Sequence, residues 1–138
     1  MKEILVDADR KHLPAVQALI DTQLAQAGCP PQVQIAIDVA VEEIFINIAS
    51  YAYAPGTGKA RVQIEVHEAP PSAEIRFLDR GQPYNPLAAP EPDIFLPLRQ
   101  RRRGGLGVYM VKQSMDQVEY EYRDGQNVFT IKKVLFPA

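Results

Sequence analysis

Apolar residues recur along this chain at two spacings, one helical and one alternating, and the changes between them mark out the elements. Leu13, Val16, Ile20 and Leu24 fall at three- and four-residue steps, which predicts an amphipathic helix from about Arg10 to Ala27, with Pro14 in its first turn and Gly28 as its stop. A second helix opens at Pro31 and runs to about Tyr53. Ile37, Val41, Ile44 and Ile48 form one apolar stripe along it, and Ala36, Ala40, Glu43 and Asn47 form a second, about a quarter turn away. Phe45 and Ile46 leave little of the circumference polar, and a helix so apolar is largely buried. Two polar side chains on a covered helix, Glu43 and Asn47, require a reason.

Strand signals frame these helices. Glu3 to Val6 forms a short first strand. Val62, Ile64 and Val66 alternate with Arg61, Gln63, Glu65 and His67, and after a turn at Pro70-Pro71-Ser72 another strand passes Ile75 and Phe77 to end at Asp79. Gly81 to Gly105 contains five prolines, too many for a regular element. So long a connection is usually functional, and a lid over about residues 84–104 is expected. Gly107 to Met115 then reads as a helix, and Val118 to Tyr122 with Val128 to Leu135 as a hairpin around Arg123-Asp124-Gly125-Gln126. The order predicts a single domain over residues 1–138, a two-layer α/β sandwich whose mostly antiparallel sheet is covered on one face by helices.

Composition narrows the classes. A chain of 138 residues with 46% hydrophobic and 23% charged residues suits one soluble globular domain. Its formal charge of −2 argues against direct nucleic-acid binding, despite the local run of Arg99 and Arg101 to Arg103. Cys29 is the single cysteine, so no intramolecular disulfide forms, which suits a cytoplasmic location; between Gly28 and Pro30 it reads as an incidental thiol. No secretory pattern opens the chain, and no apolar run reaches the ~20 residues that span a bilayer.

Candidate chemistry collects in three places. Glu43 and Asn47 lie one helical turn apart on one side of their helix. A carboxylate there can deprotonate a hydroxyl or water, and an amide oxygen suits Mg²⁺, which prefers oxygen ligands. Asp79 ends a strand before Arg80-Gly81, where a buried carboxylate can accept from the exocyclic amine of adenine, and Gly81 lacks the Cβ that would block a flat ring. Gly104, Gly105 and Gly107 lie just before a helix, whose free N–H groups favour an anion. Arginines of the preceding Arg101-Arg102-Arg103 can close over a terminal phosphate. Each has a bland counterpart: an exposed helix edge, an ordinary Asp turn, a solvated charge run.

In this order and together, the pieces resemble the GHKL (Bergerat-fold) ATPases, and within them the anti-sigma-factor serine/threonine kinases of the SpoIIAB/RsbW type. The N-box is similar to Glu43-Ile44-Phe45-Ile46-Asn47 with Tyr51-Ala52-Tyr53, the G1 box to Asp79-Arg80-Gly81-Gln82-Pro83-Tyr84-Asn85-Pro86, and the G2 box to Gly104-Gly105-Leu106-Gly107-Val108-Tyr109-Met110-Val111. The resemblance implies a Bergerat ATP-binding fold with a lid. It implies Glu43 as general base, Asn47 as Mg²⁺ ligand, Asp79 on the adenine amine, and Gly81 and Pro83 beside the nucleotide. Gly104, Gly105, Leu106 and Gly107 would cradle phosphates, and Arg101 or Arg103 would stabilise the transferred group. The implied partners are a STAS-domain anti-anti-sigma protein and a sigma factor or other regulator, and such relatives are commonly homodimers. Two positions depart: Tyr51 stands where the family often has His, and Gly125-Gln126-Asn127 where it often has Gly-Thr, leaving Asn127 as the candidate phosphate donor.

Two other readings compete. One is a non-catalytic module that binds ATP and sequesters a regulator; against it stands the cost of desolvating Glu43 without a use for it. The other is a piece of a sensor histidine kinase, but His12 and His67 are the only histidines and both read as surface residues. Larger GHKL machines need a second transducing domain, for which 138 residues leave no room.

Overall fold

The computed structural model describes residues 1–88 and 105–137. Among them the alternating segments become β1 (Lys2–Asp7), β2 (Lys59–Glu68), β3 (Pro71–Asp79), β4 (Gln117–Arg123) and β5 (Gln126–Val134). They form one sheet in the order β1-β2-β3-β5-β4, with every neighbouring pair antiparallel. The expected two-layer sandwich is therefore present, and its sheet is fully antiparallel.

Burial follows the two periodicities. The helices α1 (Leu13–Gln26) and α2 (Pro31–Tyr51) bury Val16, Ile20 and Leu24, and Ile37, Val41, Ile44, Phe45 and Ile48 respectively. These pack against the inward residues Val62, Ile64, Ile75, Phe77, Phe129 and Ile131 of the sheet in one cluster. The opposite sheet face carries Arg61, Gln63, Glu74, Arg76 and Lys132, all half-buried and several ion-paired. Phe45 is fully buried, although the stripes placed it to one side.

Three boundaries differ from expectation, each for a local reason. Arg10–His12 is a 3₁₀ turn, because the Asp9 carboxylate accepts from the Lys11 N–H at 3.0 Å and delays the α-helix to Leu13. The β2–β3 turn is Ala69-Pro70, so Pro71 opens β3 opposite Glu68, at the strand position a proline tolerates. The third helix, α3 (Gly105–Ser114), starts earlier than Gly107 and takes two of the glycines into its first turn. The β4–β5 turn is as expected, with Asp124 and Gly125 at φ of 55° and 76°, the left-handed pair that a two-residue hairpin demands.

One polar contact holds the two long helices together. Gln17 Nε2 of α1 donates to the Asp38 carbonyl of α2 at 3.3 Å, and Asp21 of α1 faces the Asp38 carboxyl. Burial, and then the neighbouring Asp21, push the Asp38 carboxyl up to about 7. The folded chain thus keeps a proton that the unfolded chain has released, so this contribution to stability is full at acid pH and drains away as pH rises through about 7. Asp38→Asn is expected to raise Tm at pH 8 and leave it nearly unchanged at pH 5. Thermal melts at both pH values decide it; equal shifts at both would remove the shared proton.

Candidate active site

Asp79 and Asn127 are far apart in the chain and adjacent in space, because the β3–β5 register sets them directly opposite. Asp79 is only 5% exposed, and its Oδ1 accepts from Gly81 N and from Asn127 Nδ2, each at 2.9 Å. Burial raises the Asp79 carboxyl, and the bonds from Asn127 and Gly81 oppose that rise. Among the described residues no group donates to Oδ2. Asn127 Nδ2 also reaches the Gln82 and Gly81 carbonyls, at 3.0 and 3.4 Å, and its Oδ1 accepts from the Tyr84 N–H at 3.2 Å and from the Tyr120 hydroxyl. Asn127, the expected phosphate donor, instead has its amide committed to Asp79 and the loop after it; the cause is the strand register, which aims it at Asp79.

A cavity of about 350 Å³ opens over this pair. Asn47, Ile48 and Tyr51 of α2 form one wall, Pro83, Tyr84 and Pro86 of the loop a second, and Tyr120 and Phe129 of the hairpin a third. The structure therefore brings together Asn47, Asp79, Pro83 and Asn127, four of the residues singled out in the sequence. Its lining is mainly apolar with a few polar groups, as suits a flat heteroaromatic ring with a polar edge.

Gly81 has a different neighbour from the one expected. A Cβ there would stand 2.2 Å from the Ala52 carbonyl oxygen, so the missing side chain makes room for the end of α2 rather than for a ring. The Gln82 N–H donates to that same carbonyl at 3.0 Å. Tyr53 secures the corner: its hydroxyl donates to the Lys59 carbonyl and accepts from the Arg80 N–H at 2.7 Å. Gly81→Ala meets backbone that cannot swing aside and is expected to cost ~1–3 kcal/mol, the range for overpacking. A urea or thermal melt measures it; an unchanged midpoint would mean α2 ends elsewhere.

Glu43 lies one turn before Asn47, yet it does not line the cavity. It borders a shallow apolar groove between α2 and α3. A Cβ on Gly107 would fall 2.1 Å from Glu43 Oε2, so the carboxylate rests against the first turn of α3. That turn, which also contains Gly105 and Leu106, has N–H groups without intrahelical acceptors. Arg101, Arg103 and Gly104 lie outside the described residues. Gly107→Ala leaves the fold intact, because the flexible Glu43 carboxylate can move, and is expected to displace that carboxylate; a chemical-shift change at Glu43 with an unchanged Tm would report it.

Tyr120, Tyr84 and Tyr53 were not found from sequence. Tyr120 carried a signal: a two-residue turn at Asp124-Gly125 pairs it with Phe129 and faces it toward the helices. Tyr53 and Tyr84 lie within the N-box-like and G1-box-like stretches, but their contacts with Arg80 and Asn127 are set by partners distant in the chain.

Comparison with known proteins finds relatives for most of the chain. A family described as the histidine kinase-like ATPase domain matches residues 6–133. The serine/threonine-protein kinase BtrW of Bordetella bronchiseptica is 25% identical over 100 residues, covering 72% of this chain and 70% of that protein. The serine-protein kinase RsbW of Bacillus mycoides is 25% identical over 122 residues, covering 81% and 75% respectively. The crystal structure of the RsbU and RsbW domains of Rv1364c from Mycobacterium tuberculosis superposes on 100% of this chain with a TM-score of 0.68 at 17% identity; this chain spans only 34% of that one. At such identity the superposition speaks for the fold alone. No described helix is long and apolar enough to cross a membrane.

Proposed function

Because this chain belongs to the histidine kinase-like ATPase family, we propose that it is an ATP-dependent serine/threonine protein kinase whose substrate is a STAS-domain anti-anti-sigma protein. In this reading phosphorylation of that protein leaves the kinase free to sequester a sigma factor or other regulator, and the kinase acts as a cytoplasmic homodimer. The observation that carries the proposal is the convergence of Asp79 and Asn47 on one cavity, with Glu43 one turn away against the start of α3.

Each residue has a stated part. Asp79 Oδ2 takes the adenine amine, while Asn127 and Gly81 fix Oδ1 and so aim the other oxygen. The Asn47 side chain has no hydrogen-bond partner among the described residues and borders the cavity, as suits a ligand of Mg²⁺. When bound, Mg-ATP supplies the phosphoryl group and the charge that neutralises it. The first turn of α3, with Gly105, Leu106 and Gly107, offers N–H groups to phosphate oxygens. Glu43 accepts the proton of the serine hydroxyl, and Arg101 or Arg103, with Gly104, completes the phosphate end.

Incubation with Mg-ATP and a STAS-domain protein from the same genome, followed by phosphoserine mapping, tests the proposal. The expected result is one phosphoserine on the STAS protein. Tight ATP binding without any transfer would instead identify a non-catalytic module that uses nucleotide to control a regulator.

A further inference from the structure

Several apolar side chains on the helical layer stand exposed among the described residues. Ile35 and Val39 stand on successive turns of α2 and are 64% and 41% exposed; Met110, across from them on α3, is 49% exposed. Between Val39 and Met110 runs the groove of about 170 Å³, floored by Ala36, Ala40 and Val111 and bordered by Glu43, with Ile35 one turn beyond its lining. Building on the kinase reading, we infer that this groove docks the serine-bearing protein substrate and delivers its hydroxyl to Glu43.

Two observations choose this occupant. The groove is continuous with the carboxylate that would receive the proton, since Glu43 both borders it and touches the first turn of α3. A second copy of the chain seated there would cover Glu43. The exposed apolar surface is also small. Three partly exposed side chains offer on the order of 300 Å², against about 800 Å² per partner in a stable interface. A substrate that must leave after each transfer needs no more, whereas a permanent subunit contact would.

Helix geometry sets the spacing on the partner. Val39 and Ile35 precede Glu43 by four and eight residues, roughly 6 and 12 Å along the axis at 1.5 Å per residue. The substrate therefore presents an apolar anchor roughly 6–12 Å from its reactive serine. Glu42, exposed beside Glu43, favours a basic residue near that anchor.

Val39→Glu and Met110→Glu place a charge in the groove at exposed positions, and Leu5→Glu on the opposite sheet face is the control. Binding of a STAS-domain protein from the same genome to the Mg-ADP-loaded kinase is titrated, and KM and kcat for transfer are measured alongside ATP affinity. The groove variants are expected to raise Kd and KM for the STAS protein at least ~10-fold, with ATP affinity, kcat and Tm as in the parent; Val39→Ile and the control retain parental values. Groove variants that bind the partner like the parent overturn the inference, as does a parent that binds no STAS protein. A change of dimer mass without a change in KM would assign the groove to a second copy and overturn it too. A parent that binds through the groove but transfers no phosphate leaves the docking site standing and removes the kinase reading.

Discussion

Glu43→Ala is expected to cut phosphoryl transfer by at least ~10², the low end for a positioned base, while ATP affinity stays within several-fold of the parent. The asymmetry follows from where the side chain lies. Glu43 does not line the nucleotide-sized cavity, whereas Asn47, one turn on, does. Removing the carboxylate therefore leaves the lining of that cavity untouched. It takes away the carboxylate that rests against Gly107 in the first turn of α3. Glu43→Gln keeps the shape and the contact with Gly107 but cannot take a proton, so it should be as slow as the alanine variant. Transfer of labelled phosphate and a nucleotide titration separate the two effects. Equal transfer by Glu43→Gln and the parent would end the role of Glu43 as base.

Asp79→Asn is expected to weaken ATP binding by ~10–100-fold, the worth of a hydrogen bond to a charged group, and to shrink the preference for ATP over GTP. Oδ1 of Asp79 already receives two donors, Gly81 N and Asn127 Nδ2. An asparagine must keep its oxygen toward those donors, and its NH₂ then faces the cavity. There it meets the amine of adenine donor to donor, whereas the carbonyl of guanine would accept from it. Titration with both nucleotides tests the change, and an unaltered preference would show that Asp79 does not read the base.

Local patterns carried most of the fold. The stripe on α2 and the alternation in β2 and β3 each report a face, and faces follow from period alone. Asp124-Gly125 named its turn, since few residues tolerate a left-handed pair. The start of α3 was obscured because Gly105 and Gly107 are poor helix formers. Gly107 is suited there by a contact with Glu43, more than sixty positions earlier in the chain, and nothing near it reports that. The site divides along the same line. Glu43, Asn47 and Asp79 stood out as polar groups on apolar elements. The neighbours of Gly81 and Asn127 did not, because one is set by where α2 ends and the other by a register between non-consecutive strands.

That register also limits how nucleotide choice could be changed. A single side-chain nitrogen of Asn127 touches both the carboxylate placed to read the ring and the carbonyls that root the loop beside it. In the proposed reading, discrimination between purines and the posture of that loop would therefore share one adjustable part. Engineering a guanine-using form would therefore have to keep an acceptor at position 79 for Gly81 N and Asn127 Nδ2, and to leave Asn127 itself in place, since its amide also holds the Gly81 and Gln82 carbonyls and the Tyr84 N–H.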